Sequence, residues 1–236
     1  MPGVLPNSDS SPRPTRRERG ISAVQQVYDG IRDPIIDLSL PPGSTISTSE
    51  VAAEFGVSQT PVREALLRLS DEGLVDIFPQ SRTLVSLIDV QHAREVHFLR
   101  LSVEIEVVRT LARAIADEGM AELKAWIERQ ITELNAGNQT AFKLADNSFH
   151  EDMFRLAGVR GLTRLIDTRR GHYDRIRGLY LMEQERRVVV VEEHQAIIAA
   201  LEARDEAAAE AAVRQHLGKS LAIVDEIRER HLGFFL

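Results

Sequence analysis

The stretch Phe55–Val75, FGVSQTPVREALLRLSDEGLV, restricts the fold of this chain more than any other part of it. Gly56 interrupts the preceding helical pattern, and Ser58 can cap the next helix by accepting from a backbone N–H two or three residues on. Pro61 falls in the first turn, where its missing N–H costs nothing. Val62, Ala65, Leu66 and Leu69 then recur at helical spacing, and Gly73 ends the run. That stripe leaves Ser58, Gln59, Thr60 and Arg63 off the apolar side. A helix that opens on uncommitted polar groups is built to face something other than its own core.

The flanking segments complete the pattern. From Ile21 to Leu38, Val24, Val27, Ile31 and Ile35 keep helical spacing until Pro41-Pro42-Gly43. Ser47 to Phe55 is a short helix carrying Ser49 in its first turn. After Gly73, LVDIFPQSRTLVSLI alternates about a proline turn, as a hairpin does, with Arg82 on its second strand. Helix, short helix, helix, hairpin is the order of a winged helix-turn-helix, with the Ser58 helix free to enter a major groove. Arg63 can then reach a base edge or a phosphate.

Beyond Asp89 no strand pattern appears. Helical spacing covers Asp89–Ala116, Met120–Leu134, Thr140–Leu156, Leu162–Leu181, Glu183–Ala203 and Asp205–Arg230, with breaks expected at Gly119, Gly137, Gly158 and Gly161. We therefore expect a mainly α protein, with a winged helix-turn-helix over 21–88 and an all-α six-helix bundle over 89–236. Residues 1–20, rich in Pro and Ser with four arginines, read as a disordered tail.

Composition narrows the function classes. There are no cysteines, so disulfides and thiolate metal sites are excluded and a reducing cytoplasm is the expected home. No apolar run approaches the ~20 residues of a membrane span. The net charge of −7 argues against a general polyanion binder, and residues 1–87 hold 8 Lys+Arg against 11 Asp+Glu. DNA recognition must therefore rest on a local surface rather than on overall charge, with weak nonspecific affinity.

The bundle carries a second signal. Asp146 and His150 stand four apart on an apolar helix face, His194 lies with Val190, Ile197 and Leu201, and His216 lies with Val213 and Ser220. Three helices each turn a metal-ligand type inward. A buried carboxylate left unpaired costs several kcal/mol. A divalent cation among one carboxylate and three imidazoles would offset that, with zinc the first candidate and nickel, iron or manganese also suited. His172, beside Tyr173, is a further candidate for the same interior.

The chain resembles the GntR family of bacterial transcription regulators, in the subgroup with a FadR-type C-terminal (FCD) domain. The resemblance rests on GVSQTPVREALLRLSDEGLV, on RLSVE at Arg100–Glu104, DNSFH at Asp146–His150, EEHQAIIAAL from Glu192 and RQHL at Arg214–Leu217. It implies a homodimer on a palindromic double-stranded operator, most often as a repressor. It implies metal ligation by Asp146, His150, His194 and His216, with a small carboxylate effector beside the metal. Arg100, and either Arg186 or Arg187, match the arginines that would neutralise the effector. The chain departs from the family pattern at Gln59, where arginine is frequent, at Arg82, where the wing often has glycine, and at Val159, which replaces a common asparagine. Two further readings remain: a metal-dependent hydrolase using the same Asp/His set, and a regulator whose metal is purely structural. The sequence offers the hydrolase no further inward-facing carboxylate as acid or base.

Overall fold

The computed structural model describes residues 21–236, so the proline-rich tail lies outside the described residues. The chain divides into two compact units: one extends to Val90 and takes in Arg228–Leu236, and the other is Gln91–Ile227. The backbone thus crosses between units twice, at 90/91 and 227/228, where the division drawn from sequence has one crossing at 88/89.

In the first unit, α1 (Ala23–Ile36), α2 (Thr48–Phe55) and α3 (Gln59–Asp71) precede the antiparallel strands β1 (Val75–Phe78) and β2 (Arg82–Val85). Val27, Ile31 and Ile35 of α1 close on Val62, Ala65, Leu66 and Leu69 of α3, all at most 4% exposed. Burying each larger aliphatic side chain contributes ~1.5–3 kcal/mol before entropy is charged. Ser22 caps α1 and Ser47 caps α2 through their hydroxyls, to Gln25 N and Glu50 N. Gly56 ends α2 at φ 63°, a left-handed conformation open to glycine. Gly30 answers a packing need, since a Cβ there would lie 2.3 Å from Phe55 Cζ.

The hairpin pairs Val75 with Val85 and Phe78 with Arg82. Ser81 N donates to Phe78 O across the Pro79-Gln80 turn, with Gln80 at φ 57°. A bridge from Thr45 to Leu84 adds a short third edge to β2.

The second unit is all helical: α4 (Val90–Ala114), α5 (Asp117–Asn135), α6 (Gln139–Leu156), α7 (Gly161–Asp167), α8 (Gly171–Tyr180), α9 (Gln184–Glu202), α10 (Glu206–Ala222) and α11 (Val224–Arg230). The expected count of six is corrected to eight, because two long patterns are each interrupted. Leu162–Leu181 breaks at 168–170, where Arg169 N and Arg170 N both turn back to Ile166 O and the Thr168 hydroxyl bonds Leu165 O. Asp205–Arg230 breaks at Ile223, yet Val213, Leu217, Ser220, Val224 and Ile227 keep one buried stripe through the break. Apolar periodicity therefore could not reveal it. Gly119 does not break a helix: it lies in the first turn of α5, where an added Cβ would meet Leu156 Cδ2 at 2.9 Å. Gly137 and Gly158 do end helices, at φ 69° and 77°.

Candidate metal centre and nucleic-acid interface

Four side chains from three helices meet inside the second unit. Asp146 and His150 stand one turn apart on α6, His194 on α9 and His216 on α10, each at most 3% exposed. One ligand atom from each lies within 4.8 Å of all the others. Nε2 of His216 is 3.1 Å from that of His150 and 3.2 Å from that of His194, and Asp146 Oδ1 is 3.8 Å from His194 Nε2. The rings are held by apolar neighbours: Phe149 stacks on His194 with centroids 4.3 Å apart.

The other ring nitrogens decide the chemistry. His150 Nδ1 meets Glu104 Oε2 at 2.8 Å, His194 Nδ1 meets Gln130 Oε1 at 2.9 Å, and His216 Nδ1 meets Glu193 Oε2 at 3.0 Å. Glu104 is held ionised and Gln130 presents its amide oxygen, so His150 and His194 donate Nδ1–H outward and turn the lone pair of Nε2 inward; His216 does the same toward ionised Glu193. Three converging lone pairs repel unless a cation lies among them. Ligands ~2.0–2.1 Å from a tetrahedral zinc stand ~3.3–3.4 Å apart; two pairs here are at 3.1 and 3.2 Å, one is at 3.8 Å, and the whole set lies within 4.8 Å. Outward Nδ1–H bonds to carboxylate or carbonyl oxygen are the arrangement that orients metal-binding imidazoles. The residues present fit a divalent cation.

Electrostatics favour the ligand forms. Burial keeps all three imidazoles neutral by lowering them, His194 to about 3 and His216 well below its ordinary value. Burial would raise Asp146, but the Arg177 guanidinium holds it well below the usual carboxylate range. Arg177 Nη2 donates to Oδ1 and Oδ2 at 2.6 and 2.8 Å. Glu104 is likewise buried, and the pull of Arg100 and His150 brings it down to about 2.

The expected effector residues separate in the structure. Arg100 is buried, its Nε donates to Glu104, and its guanidinium lies 5.5 Å from the Tyr173 ring. A narrow cavity beside it is lined by two arginines, Arg100 and Arg170, three carboxylates, Glu104, Glu151 and Asp167, and by His150 among others. Arg187 is buried and donates from Nη1 to Leu181 O and Met182 O at 2.6 and 3.0 Å, closing the end of α8. Arg186 is partly exposed and pairs with Glu183, with its guanidinium over Tyr180. His172 is buried with Nδ1 2.9 Å from Arg175 Nη2, and its ring lies 5.0 Å from His92.

In the first unit, Ser49, Ser58, Gln59, Thr60, Arg63 and Arg82 are all exposed. Ser58 stands at the N-cap of α3, but its hydroxyl makes no capping hydrogen bond, which corrects the expected cap. At φ −71°, ψ 168° it has capping backbone geometry with its side chain uncommitted. Arg63 Nη2 donates to Gln59 Oε1 at 3.0 Å one turn away, which aligns the two side chains along α3. Arg82 lies with its guanidinium 5.4 Å from the Phe78 ring across the hairpin.

Residues 23–85 match the gntR family of bacterial regulatory proteins, and residues 95–219 match the FCD domain. The chain belongs to the GntR family. An HTH-type transcriptional regulator in an unstable DNA locus of Streptomyces ambofaciens is 33% identical over 204 residues, covering 86% of each chain. The repressor RspR of Escherichia coli is 29% identical over 211 residues, covering 89% of this chain and 92% of RspR. Two solved structures share the fold at 21% identity: a GntR regulator from Rhodococcus (TM-score 0.74, covering 87% of this chain and 99% of that one) and McbR/YncC of Escherichia coli (TM-score 0.72, covering 87% and 98%). This GntR chain is a DNA-binding transcription regulator, and its domains and relatives are those of regulators rather than enzymes.

Four residues around the site of this GntR protein lie outside the set expected from its sequence: Arg177 and Gln130, and Glu104 and Glu193, which stand only within the RLSVE and EEHQAIIAAL motifs. The expected lack of further inward carboxylates is corrected: Glu104 and Glu193 are both buried, and both are engaged by imidazole Nδ1. Glu104 is also paired with Arg100, and Glu193 Oε1 lies 3.7 Å from Lys219 Nζ. Glu104 does share an i, i+4 relation with Arg100, and Glu193 adjoins His194; those were the available signals.

Proposed function

We propose that this regulator is a homodimeric, metal-dependent repressor whose FCD domain holds a divalent cation, zinc first, on Asp146, His150, His194 and His216. One observation carries the reading: three Nε2 atoms converge while each Nδ1 is occupied by an acceptor outside the site. Bound there, the cation would act as a Lewis acid able to accept an oxygen from a small carboxylate effector. The chain's own residues place and charge the surroundings. Arg177 holds Asp146 ionised, Glu104 and Gln130 orient two imidazoles, and Arg100 lines the adjoining cavity as a cation for the anionic ligand.

In the first unit, Ser58, Gln59, Thr60 and Arg63 would enter a major groove, Ser49 would contact backbone, and Arg82 would reach phosphate or minor groove. Two copies related by a two-fold axis would read a palindromic operator. Gln59 suits a bidentate pair with adenine, where arginine would select guanine. The effector shifts DNA affinity by the difference in its own affinity for the two states, and by linkage DNA weakens effector binding equally.

The test uses purified protein, stripped with a chelator and reloaded with zinc. We expect one zinc per chain by elemental analysis, a higher Tm on loading, and a thermal shift with some member of a panel of small carboxylic acids in the loaded protein. Absence of stoichiometric zinc, nickel, iron and manganese after reconstitution would remove the metal. Metal binding without any carboxylate response would leave a purely structural ion.

A further inference from the structure

Residues 231–236, HLGFFL, do not end loosely beyond the last helix. Ile88 N donates to Phe234 O at 2.7 Å and Leu236 N donates to Ile88 O at 3.1 Å, a parallel bridge between Ile88 and Phe235. Ile88 is fully buried and Phe235 is 6% exposed. Arg228 Nη2 closes the loop by donating to Leu236 O at 2.8 Å, and the His231 and Phe234 rings stack 5.4 Å apart. A short exposed peptide gains little from two backbone bonds alone; it is the buried Phe235 side chain that makes this docking specific.

Both ends of the segment matter. Ile88 lies between β2 and α4, in the stretch by which the chain leaves the DNA-binding unit. That stretch is pinned to the entry of β1, since Ser86 N donates to Leu74 O and the Ser86 hydroxyl to Gly73 O. At the other end, α11 follows α10 after the single residue Ile223, and α10 carries His216. The same α11 runs across the division between the units, at 227/228. The backbone therefore connects a candidate metal ligand to Ile88 by a route independent of α4.

We propose that residues 228–236 are a strap that conveys the occupancy of the Asp146/His150/His194/His216 site to the 86–90 segment, and through it to the winged helix-turn-helix. The strap rests on the reading of that group as a metal site. A displacement of α10 on metal binding is passed along α11 and changes the fit of Phe235 against Ile88. Docking and release of the strap are the two states that the metal distinguishes.

The experiment compares full-length wild type with Phe235→Ala and with a deletion of 231–236, each stripped and zinc-loaded. Hydrogen exchange is followed over 86–90, zinc affinity is measured by chelator competition, and DNA affinity is measured on a duplex selected from a random pool with the wild-type protein. In wild type, zinc is expected to change exchange at 86–90 and to shift duplex affinity by ~5-fold or more. Both variants should still bind one zinc per chain, with an affinity shifted from that of wild type by no more than the factor lost from the duplex response, and still bind the duplex, with no zinc effect on exchange at 86–90 or on duplex affinity. Zinc binding by wild type without any change at 86–90 overturns the strap, whether or not the variants fold. Folded variants that keep the full zinc effect overturn it too. No zinc binding by wild type defeats the metal reading itself, and the strap with it.

Discussion

Arg177 on α8 places one Nη2 against both carboxylate oxygens of Asp146 on α6, at 2.6 and 2.8 Å. Both residues are buried, so the guanidinium is the chain's own counter-charge for a carboxylate that faces three neutral imidazoles. Removing one partner of such a pair leaves an uncompensated buried charge, which costs ~3–5 kcal/mol. Arg177→Met should therefore lower the Tm of the metal-stripped protein strongly. Zinc loading should recover much of the loss, because the cation takes over the neutralising role. Calorimetric melts of both proteins with and without zinc check this, and equal zinc-induced shifts in variant and wild type would count against it.

Loss of an imidazole should act differently. His216→Ala removes the ring whose Nε2 lies closest to both other histidines, and it also frees Glu193 from its hydrogen bond. Zinc stoichiometry should fall toward zero. The stabilisation expected from zinc in the wild type, ~4 kcal/mol at a thousand-fold excess over Kd, should vanish. Elemental analysis and paired melts report both.

Acid should destabilise the metal-stripped protein. Burial lowers His150, His194 and His216 in the folded chain, His194 to about 3, whereas unfolded imidazoles titrate near 6.5. The unfolded state thus binds more protons below pH ~6.5, and stability is lost as pH falls, at up to ~1.4 kcal/mol per pH unit for each imidazole. Glu193 works the other way: burial lifts it to about 7, against the pull of Lys219, so its contribution weakens as pH rises from about 4.5. It is one group against three. Below pH ~4.5, Glu104 and Asp146, both held low, add to the acid loss. Denaturant midpoints between pH 7.5 and 4 should fall monotonically once pH drops below 6.5.

Arg63→Ala should abolish sequence-specific DNA binding while leaving the fold and assembly state intact, since Arg63 is exposed and its described hydrogen bond is to Gln59. The loss of a bidentate base contact is worth ~1–3 kcal/mol at that position. Gln59→Ala should weaken and broaden specificity less severely, because it removes the amide proposed to read adenine together with the hydrogen bond that aligns Arg63. Binding isotherms on a selected duplex and its single-base variants separate the two. Unchanged affinity for Arg63→Ala would show that α3 is not the recognition helix.

Packing gives a last prediction. A Cβ at Gly30 would meet the Phe55 ring at 2.3 and 2.7 Å, so either α1 or the ring must move. Gly30→Ala should destabilise the DNA-binding unit by ~1–3 kcal/mol, even though alanine is the better helix former. Chemical denaturation followed by circular dichroism measures it, and Gly30→Ala with Phe55→Leu should recover part of the loss.

Local rules made α2, α3 and the hairpin legible, because glycine, proline and serine punctuation acts within a few residues and the stripe Val62–Leu69 needs one partner face. The metal candidates were legible for a similar reason: a polar ligand type on an apolar face is conspicuous at i, i+4 spacing. Other features lay beyond that reach. The breaks at 168–170 and Ile223 leave the apolar period intact, so they are set by how the helices pack rather than by the pattern they carry. Arg177 reads in sequence as one of two arginines on α8, and only the approach of α8 to α6 makes it the partner of Asp146. The linkage of Ile88 to Phe234 and Leu236 joins residues almost 150 positions apart and depends on α11 returning the chain to the first unit. Sequence by itself determined which side chains must be buried and which helix is left with polar groups to spare. Tertiary structure alone decided which buried charges meet, because hydrogen bonds and ion pairs act over a few ångströms and distance along the chain does not govern distance in space.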